Sequence, residues 1–462
     1  MAVYERPIII KNPVGLMNKV GRRASLNVSS AIDGAEISTL CEQYGSPLFV
    51  FSERQLRKRL RYAKAAFVER WPRTTFCWSY KTNYLDAICA VFHQEGSLAE
   101  VVSGMEYDKA RRLGVPGSSI VFNGPAKTYD ELARATAEGA AIHADHVDEL
   151  HLLERVARQT GRVAEVGIRV SLDAGIVPRW GRFGFELESG GAKDAVRRIQ
   201  ESPYLRLGGY HTHIGTFILD AGAYARAVTK LSSLAQTLHG ELGAAPRYLD
   251  LGGGFASTNT LAGQYHSGAL TPPIEEYAEE ITSALNEAWR GREAPHLLVE
   301  TGRSLVDEAG TLLATVVANK RLPDGKRALI IDAGVNVLFT SWWYRLNIAV
   351  PHATEALTED TAVYGPLCMN IDCVRESLQL PDLRVGEHVA ISPVGAYAFT
   401  QSMQFIQLRP ACVLISPEGG VELIRRREVL DDLVRPEYLP ERLRLGDAQI
   451  ECAPSGTSAA FH

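Results

Sequence analysis

Reactive side chains in this chain stand at the ends of short apolar runs, where a strand can deliver them into a common pocket. Lys81 follows the aromatic run FCWSY and opens Lys-Thr-Asn. A lysine at a strand end can be desolvated, which lowers its pKa and frees the amine to form a Schiff base; an isolated lysine is more often a solvated surface charge. In GGYHTHIGT, His211 and His213 lie two apart, so on a strand they share a face. They can stack on a flat cofactor, bind a metal or sit satisfied in a core. Metal ligation ranks lowest, because no cysteine or carboxylate stands nearby in sequence to complete a set, and no metal site is expected. Gly252, Gly253 and Gly254 follow the strand-like YLDL and can bring backbone N–H groups close to a phosphate, or simply turn the chain sharply. They do not form the dinucleotide fingerprint GxGxxG. Glu300, Gly302 and Arg303 in ETGR can hold a phosphate and a heterocyclic nitrogen, or form a surface ion pair. Cys368 and Asp372 in YGPLCMNIDC, and Tyr397 in SPVGAYAF, complete the set.

These groups need a scaffold, and the pattern from residue 47 to 306 supplies one. Apolar runs at 48–51, 120–122, 141–143, 166–170, 248–251 and 297–299 read as buried parallel strands. Between them lie segments with helical spacing: 53–69 places Leu56, Leu60, Ala63 and Phe67 on one face, and 223–242 is another. The alternation predicts an α/β fold, a closed (β/α)8 barrel with its site at the C-terminal strand ends. From 307 to 425 the chain turns β-rich, with turn signals at Pro323-Asp324-Gly325 and Pro417-Glu418-Gly419-Gly420, as expected of an antiparallel β domain. Residues 1–46 are expected to pack with that domain. Residues 426–462 form a C-terminal tail, and 454–462 should be loosely ordered.

The bulk properties narrow the classes. The chain has 462 residues, 46% hydrophobic, with a formal net charge of -5. Without clustered positive charge, neither nucleic acid nor an acidic membrane is an expected partner. Seven cysteines without a CxxC pair suggest reduced thiols and a cytoplasmic protein. The run Ile8-Ile9-Ile10 is too short for a signal segment, and no stretch nears the ~18 apolar residues of a spanning helix.

Taken in order, Lys81, His213, the three glycines, Glu300 to Arg303, Cys368 with Asp372, and Tyr397 resemble the fold-type III pyridoxal-phosphate (PLP) decarboxylases. That group contains diaminopimelate, ornithine and arginine decarboxylases. The resemblance spans about residues 47 to 410 and is strongest to the diaminopimelate branch. It implies a PLP-binding TIM barrel with an alanine racemase-like β domain, acting as a homodimer with shared active sites. Lys81 would carry PLP as a Schiff base, with Glu100 beside it. His213 would stack on the pyridine ring, and Glu300 would bond its nitrogen. Thr216 stands where the family usually has serine, a phosphate contact. Gly253, Gly254, Gly302, Arg303 and Tyr397 match phosphate-binding positions, and Arg303 also lies close to substrate carboxylates. Cys368 would cross a dimer interface and protonate the carbanion left by CO2. A carboxylate at Glu300 favours decarboxylation; the racemases of this fold type use arginine there.

Two departures bear on the substrate. Diaminopimelate decarboxylases follow the cysteine with glutamate; here Met369 and then Asn370 stand. They also carry an arginine after the Asp332-Ala333-Gly334 motif, at the place of Thr340, although Tyr344 keeps the family tyrosine. Trp342 and Trp343 fill this region, and the nearby Arg345 is a candidate to replace the missing charge. With Asp372, these residues are the candidate substrate contacts. The expected activity is decarboxylation of an amino acid, or of an amino-acid unit in a larger metabolite of the siderophore or antibiotic-precursor type. The alternatives are meso-diaminopimelate decarboxylation to lysine, racemisation, or non-catalytic PLP carriage.

Overall fold

The computed structural model describes residues 26–263, 271–352 and 357–444. Eight parallel strands form the first unit: Thr74–Ser79, Leu98–Val101, Ile120–Phe122, Ala141–Ala144, Ala164–Ser171, Leu205–His211, Tyr248–Asp250 and His296–Val299. His296–Val299 pairs with Thr74–Ser79, and Ala164–Ser171 pairs with Leu205–His211, so the sheet closes into a barrel. Closure leaves no sheet edge, and every barrel strand finds two parallel neighbours.

The helices pack outside for the reason their spacing gives. In Glu53–Val68 the Ser52 hydroxyl accepts the Gln55 N–H as an N-cap, and Leu56, Leu60, Ala63 and Phe67 are buried. Phe67 meets Phe76 edge-on at 5.5 Å and stacks with Phe255 at 6.2 Å between ring centres. The helix expected at 223–242 is Gly222–Leu242.

One strand belongs elsewhere. The 48–51 run, expected in the barrel, is Leu48–Ser52, and it pairs with Gly310–Arg321 and Ala411–Ile415 in the second sheet. All five of its residues are buried. A strand covered on both faces reads as a continuous apolar run in any sheet, so its partners cannot be told from its own residues. The second sheet runs in the order Cys373–Leu380, Glu359–Tyr364, Arg327–Ile331, Gly310–Arg321, Leu48–Ser52, Ala411–Ile415, Val421–Arg425. It is mostly antiparallel, with parallel pairs at Arg327–Ile331/Glu359–Tyr364 and Leu48–Ser52/Ala411–Ile415. Helix Ile37–Tyr44 buries Ile37, Leu40 and Cys41 against this sheet. The 454–462 segment lies outside the described residues. No described helix is long and apolar enough to cross a membrane.

The second unit reaches over the barrel mouth. Asn83 donates its amide to the Gly395 carbonyl at 3.0 Å, Tyr397 N–H donates to the Thr82 carbonyl at 2.8 Å, and the Thr400 hydroxyl donates to the Lys81 carbonyl at 2.9 Å. The turn bearing Lys81 is therefore held by both units.

Truncating Phe67 to alanine should destabilise the protein by about 3–5 kcal/mol, because it empties a site between helix and barrel. Urea unfolding of Phe67→Ala should show a midpoint shift of that size, and a shift below ~1 kcal/mol would mean that the helix is not docked as described.

Candidate active site

A cleft of about 610 Å³ opens at the C-terminal strand ends, lined among others by Lys81, His213, Glu300, Arg303, Tyr344 and Tyr397. Lys81 sits in the turn Tyr80–Thr82 that ends the first barrel strand. Its Nζ lies 2.5 and 2.6 Å from the two oxygens of Glu100, which is fully buried on Leu98–Val101. Burial alone would lower the lysine pKa; the Glu100 and Glu300 charges outweigh it, so Lys81 ends above its ordinary value. Glu100 itself is pushed up by burial, against the pull of Lys81.

His213 accepts the Gly253 N–H on Nδ1 at 3.0 Å. That bond puts the ring proton on Nε2. Burial, then the Arg169 and Lys81 charges, lower its pKa to about 3, so the ring is neutral. Glu300, at the end of His296–Val299, is buried; its Oε1 accepts the Asn123 amide at 2.6 Å, and Oε2 lies 3.4 Å from His211 Nε2. Burial raises its pKa, but His211 and Lys81 outweigh that, and the carboxyl is held well below the usual range.

Arg303 opens the short helix Arg303–Val306 and is buried beside Asp307 at 3.3 Å, with the rings of Tyr344 and Tyr397 at 4.5 and 5.0 Å from its guanidinium carbon. Its Nε has no hydrogen-bond partner. Asp307 is fixed in turn by the Ser257 hydroxyl, the Asn259 amide and the Ala396 N–H. Two glycines are demanded by close approach: a Cβ on Gly253 would come within 2.5 Å of the Glu300 carbonyl, and one on Gly302 would collide with the Thr82 hydroxyl. Tyr397 holds φ +65°, an uncommon conformation for a tyrosine, at the cleft wall. An unpaired buried arginine nitrogen, glycine-lined backbone, a buried anion and a lysine facing one cleft fit a flat aldehyde bearing a phosphate.

Of the residues singled out by sequence, Thr216, Gly254, Gly302 and Tyr344 also line the cleft. Five do not. Arg345 is exposed, since Tyr344 turns inward and its extended-chain neighbour faces the other way. Asp372 is a buried bracket rather than a substrate contact: its Oδ1 accepts the Val335 N–H and its Oδ2 the Leu367 N–H, both at 2.7 Å. It ties the loop carrying Cys368, Met369 and Asn370 to the Asp332-Ala333-Gly334 turn. Cys368 and Asn370 are exposed and Met369 is half-buried, all away from the cleft of their own chain.

Sequence reading passed over Asn123, Arg169 and Trp180, which also line the cleft. Asn123 directly follows the strand Ile120–Phe122, so the rule placing function at C-terminal strand ends would have found it. Arg169 lies 3.7 Å from Asp145 and over the Phe183 ring at 4.4 Å; inside an apolar strand it carries no local signal. Trp180 approaches His213 at 5.5 Å between rings. Beneath Glu300, His143 and His211 stack at 4.8 Å, and with Glu300 they form the one such trio, among the described residues, whose ligand-capable atoms come within 4.8 Å of each other.

Residues 53–307, more than half of the chain, match the family described as pyridoxal-dependent decarboxylase, pyridoxal binding domain. The chain belongs to the pyridoxal-dependent decarboxylases. It is 31% identical over 434 residues to the diaminopimelate decarboxylase of Methanocaldococcus jannaschii, covering 89% of this chain and 95% of that protein. To the diaminopimelate decarboxylase of Bacillus subtilis it is 28% identical, covering 87% and 94%. The crystal structure of the M. jannaschii enzyme in complex with L-lysine superposes with a TM-score of 0.83 at 29% identity, covering 91% of this chain and 99% of that one. This decarboxylase is therefore a PLP-dependent enzyme acting on amino acids, with the barrel and β domain expected from its sequence.

The Gly253–His213 bond yields a spectroscopic prediction. Nitrogen-15 NMR of labelled histidine in the apo protein should show one ring, lost in His213→Gln, that stays neutral and Nε2-protonated from pH 7 to 5. An imidazolium signal growing in for that ring over this range would contradict the geometry.

Proposed function

We propose that the protein removes the α-carboxylate of an amino acid, with Lys81, His213, Glu300 and Arg303 in the roles their geometry supports. The observation that carries this reading is Glu300, a buried carboxylate held ionised in the cleft that Lys81 enters. PLP, when bound, supplies an electron sink for the negative charge that departing CO2 leaves behind. An ionised Glu300 keeps the pyridine nitrogen protonated and strengthens that sink. Lys81 binds the cofactor covalently, and Glu100 receives the lysine charge. His213, neutral and fixed by Gly253, covers one ring face. Arg303, with Thr216, Tyr397 and the amides of Gly254 and Gly302, would hold the phosphate and orient the leaving carboxylate, while the Gly253 N–H serves His213.

Cys368 has no place in its own cleft, which supports a homodimer in which each loop serves the partner's site. There the thiol delivers the proton that replaces CO2 at the α-carbon. Besides Arg169, Arg182 and Arg303, the cleft lining is aromatic, with Trp180, Phe183, Phe217, Trp343 and Tyr344. Thr340 is buried with an unpaired hydroxyl, and Arg345 points outward. Glu300 is the one acid among the described lining residues, so a distal ammonium would lack a carboxylate partner there, at a high desolvation cost. The substrate favoured is thus a related amino acid, or an amino-acid unit of a larger molecule. The second reading, meso-diaminopimelate, is favoured by relatives of that name matching almost their whole length.

Carbon dioxide release from a panel of amino acids separates the two. A kcat/KM on meso-diaminopimelate below ~10⁴ M⁻¹s⁻¹ is expected, and a value at or above it supports the second reading. Borohydride should fix PLP to Lys81, and peptide mapping to another lysine would end the assignment. Lys81→Ala and Cys368→Ala chains, each inactive or impaired alone, should partly complement when mixed. Cys368→Ala should release CO2 yet divert part of the amine product to a carbonyl compound, and clean amine over many turnovers would remove the thiol from the reaction.

A further inference from the structure

Asn123 is tied from both directions before its side chain reaches Glu300. Its own N–H donates to the Val101 carbonyl at 3.1 Å. The next residue, Gly124, lies so close to Val102 that a Cβ there would collide with the Val102 carbonyl. Three residues further on, the fully buried ammonium of Lys127 donates to the Gly124 carbonyl and, at 3.0 Å, to the His143 carbonyl, and it pairs with Glu149 Oε1 at 2.9 Å. Glu149 Oε2 in turn accepts the Asp145 N–H at 2.7 Å. A buried ion pair is expensive to form and is broken only at high cost, so the loop from Asn123 to Lys127 is a rigid bracket between two strand ends. The bracket aims one amide at one carboxylate oxygen.

We propose that Asn123 is a positioning residue for Glu300: its amide holds Oε1 and so keeps the carboxylate oriented towards the cofactor. This rests on the reading that Glu300 pairs with the pyridine nitrogen. An amide is suited to the task because it donates without titrating; it stabilises the charge and cannot surrender a proton to it. The other groups facing Glu300 all titrate or carry charge: His211, Asp250, Lys81 and, further out, Glu100, His143 and Arg169. Asn123 is the neutral donor among them.

The isosteric Asn123→Asp tests this with little change of shape. It places a second carboxylate against Glu300, so the pair must share a proton. A hydrogen bond to a charged group is worth roughly ten- to a hundredfold in an equilibrium. The variant should therefore lose about ten- to a hundredfold in kcat with KM nearly unchanged. Its kcat should rise with pH as the shared proton leaves, and the bound cofactor's visible absorbance should shift and become pH-dependent. In reconstitution of the apo protein, PLP should bind more weakly. Asn123→Ala should show the same spectral change without the new pH dependence. Glu300→Gln runs in parallel. A spectrum altered in Glu300→Gln but unchanged in both Asn123 variants overturns the role of Asn123 alone. An unaltered Glu300→Gln overturns the reading of Glu300 and this inference with it. Asn123 variants that melt earlier yet keep the wild-type spectrum, pH profile and PLP affinity would make the residue merely structural, against the proposal.

Discussion

A bare carboxylate in the middle of a barrel is costly, and this structure is organised around keeping one. Moving an ion out of water costs several kcal/mol even after relaxation, unless partners replace the lost hydration. Glu300 finds them at the ends of three other barrel strands: Asn123 at 2.6 Å, His211 at 3.4 Å and the charge of Lys81 across the cleft. Asp250, also fully buried, goes the other way, its pKa raised by burial and by Glu300. Two acids in one apolar core cannot both ionise cheaply, and here the one that faces the cleft keeps its charge.

The second constraint is that the reactive lysine belongs to neither structural unit alone. The Lys81 turn is built by the barrel and closed by three bonds from the segment Gly395 to Thr400. Asp307 repeats the arrangement beside Arg303, joining that residue, the loop at Ser257 and Asn259, and the Ala396 N–H. The β domain is in this sense part of the site's wall.

Much of this was legible because strand ends carry information of two kinds. Lys81, His213, the glycines and ETGR each follow a recognisable apolar run, so both the element and its payload could be read. The 48–51 run was assigned to the wrong sheet because a four-residue apolar run fits any fully buried strand; its partners lie hundreds of residues away. Leu98–Val101 escaped notice since it is short and ends around an acid, although that acid was identified. Asn123 and Arg169 have ordinary local surroundings, and only three-dimensional proximity to Glu300 and Phe183 gives them meaning. Asp372 was read as chemistry because it sits four residues from Cys368; in the fold its charge is consumed by backbone N–H groups.

That consumption also divides the loop mechanically. Since Asp372 fastens the loop by its base, and Gly365 N–H closes it onto the Asp372 carbonyl at 3.0 Å, the intervening tip bears little load. Met369 and Asn370 can be exchanged without loosening the frame that presents Cys368. The loop behaves as a cassette, with a fixed mount and interchangeable contents. A change at Asp372 would therefore release the whole loop, while a change at the tip would alter only the side chains it bears.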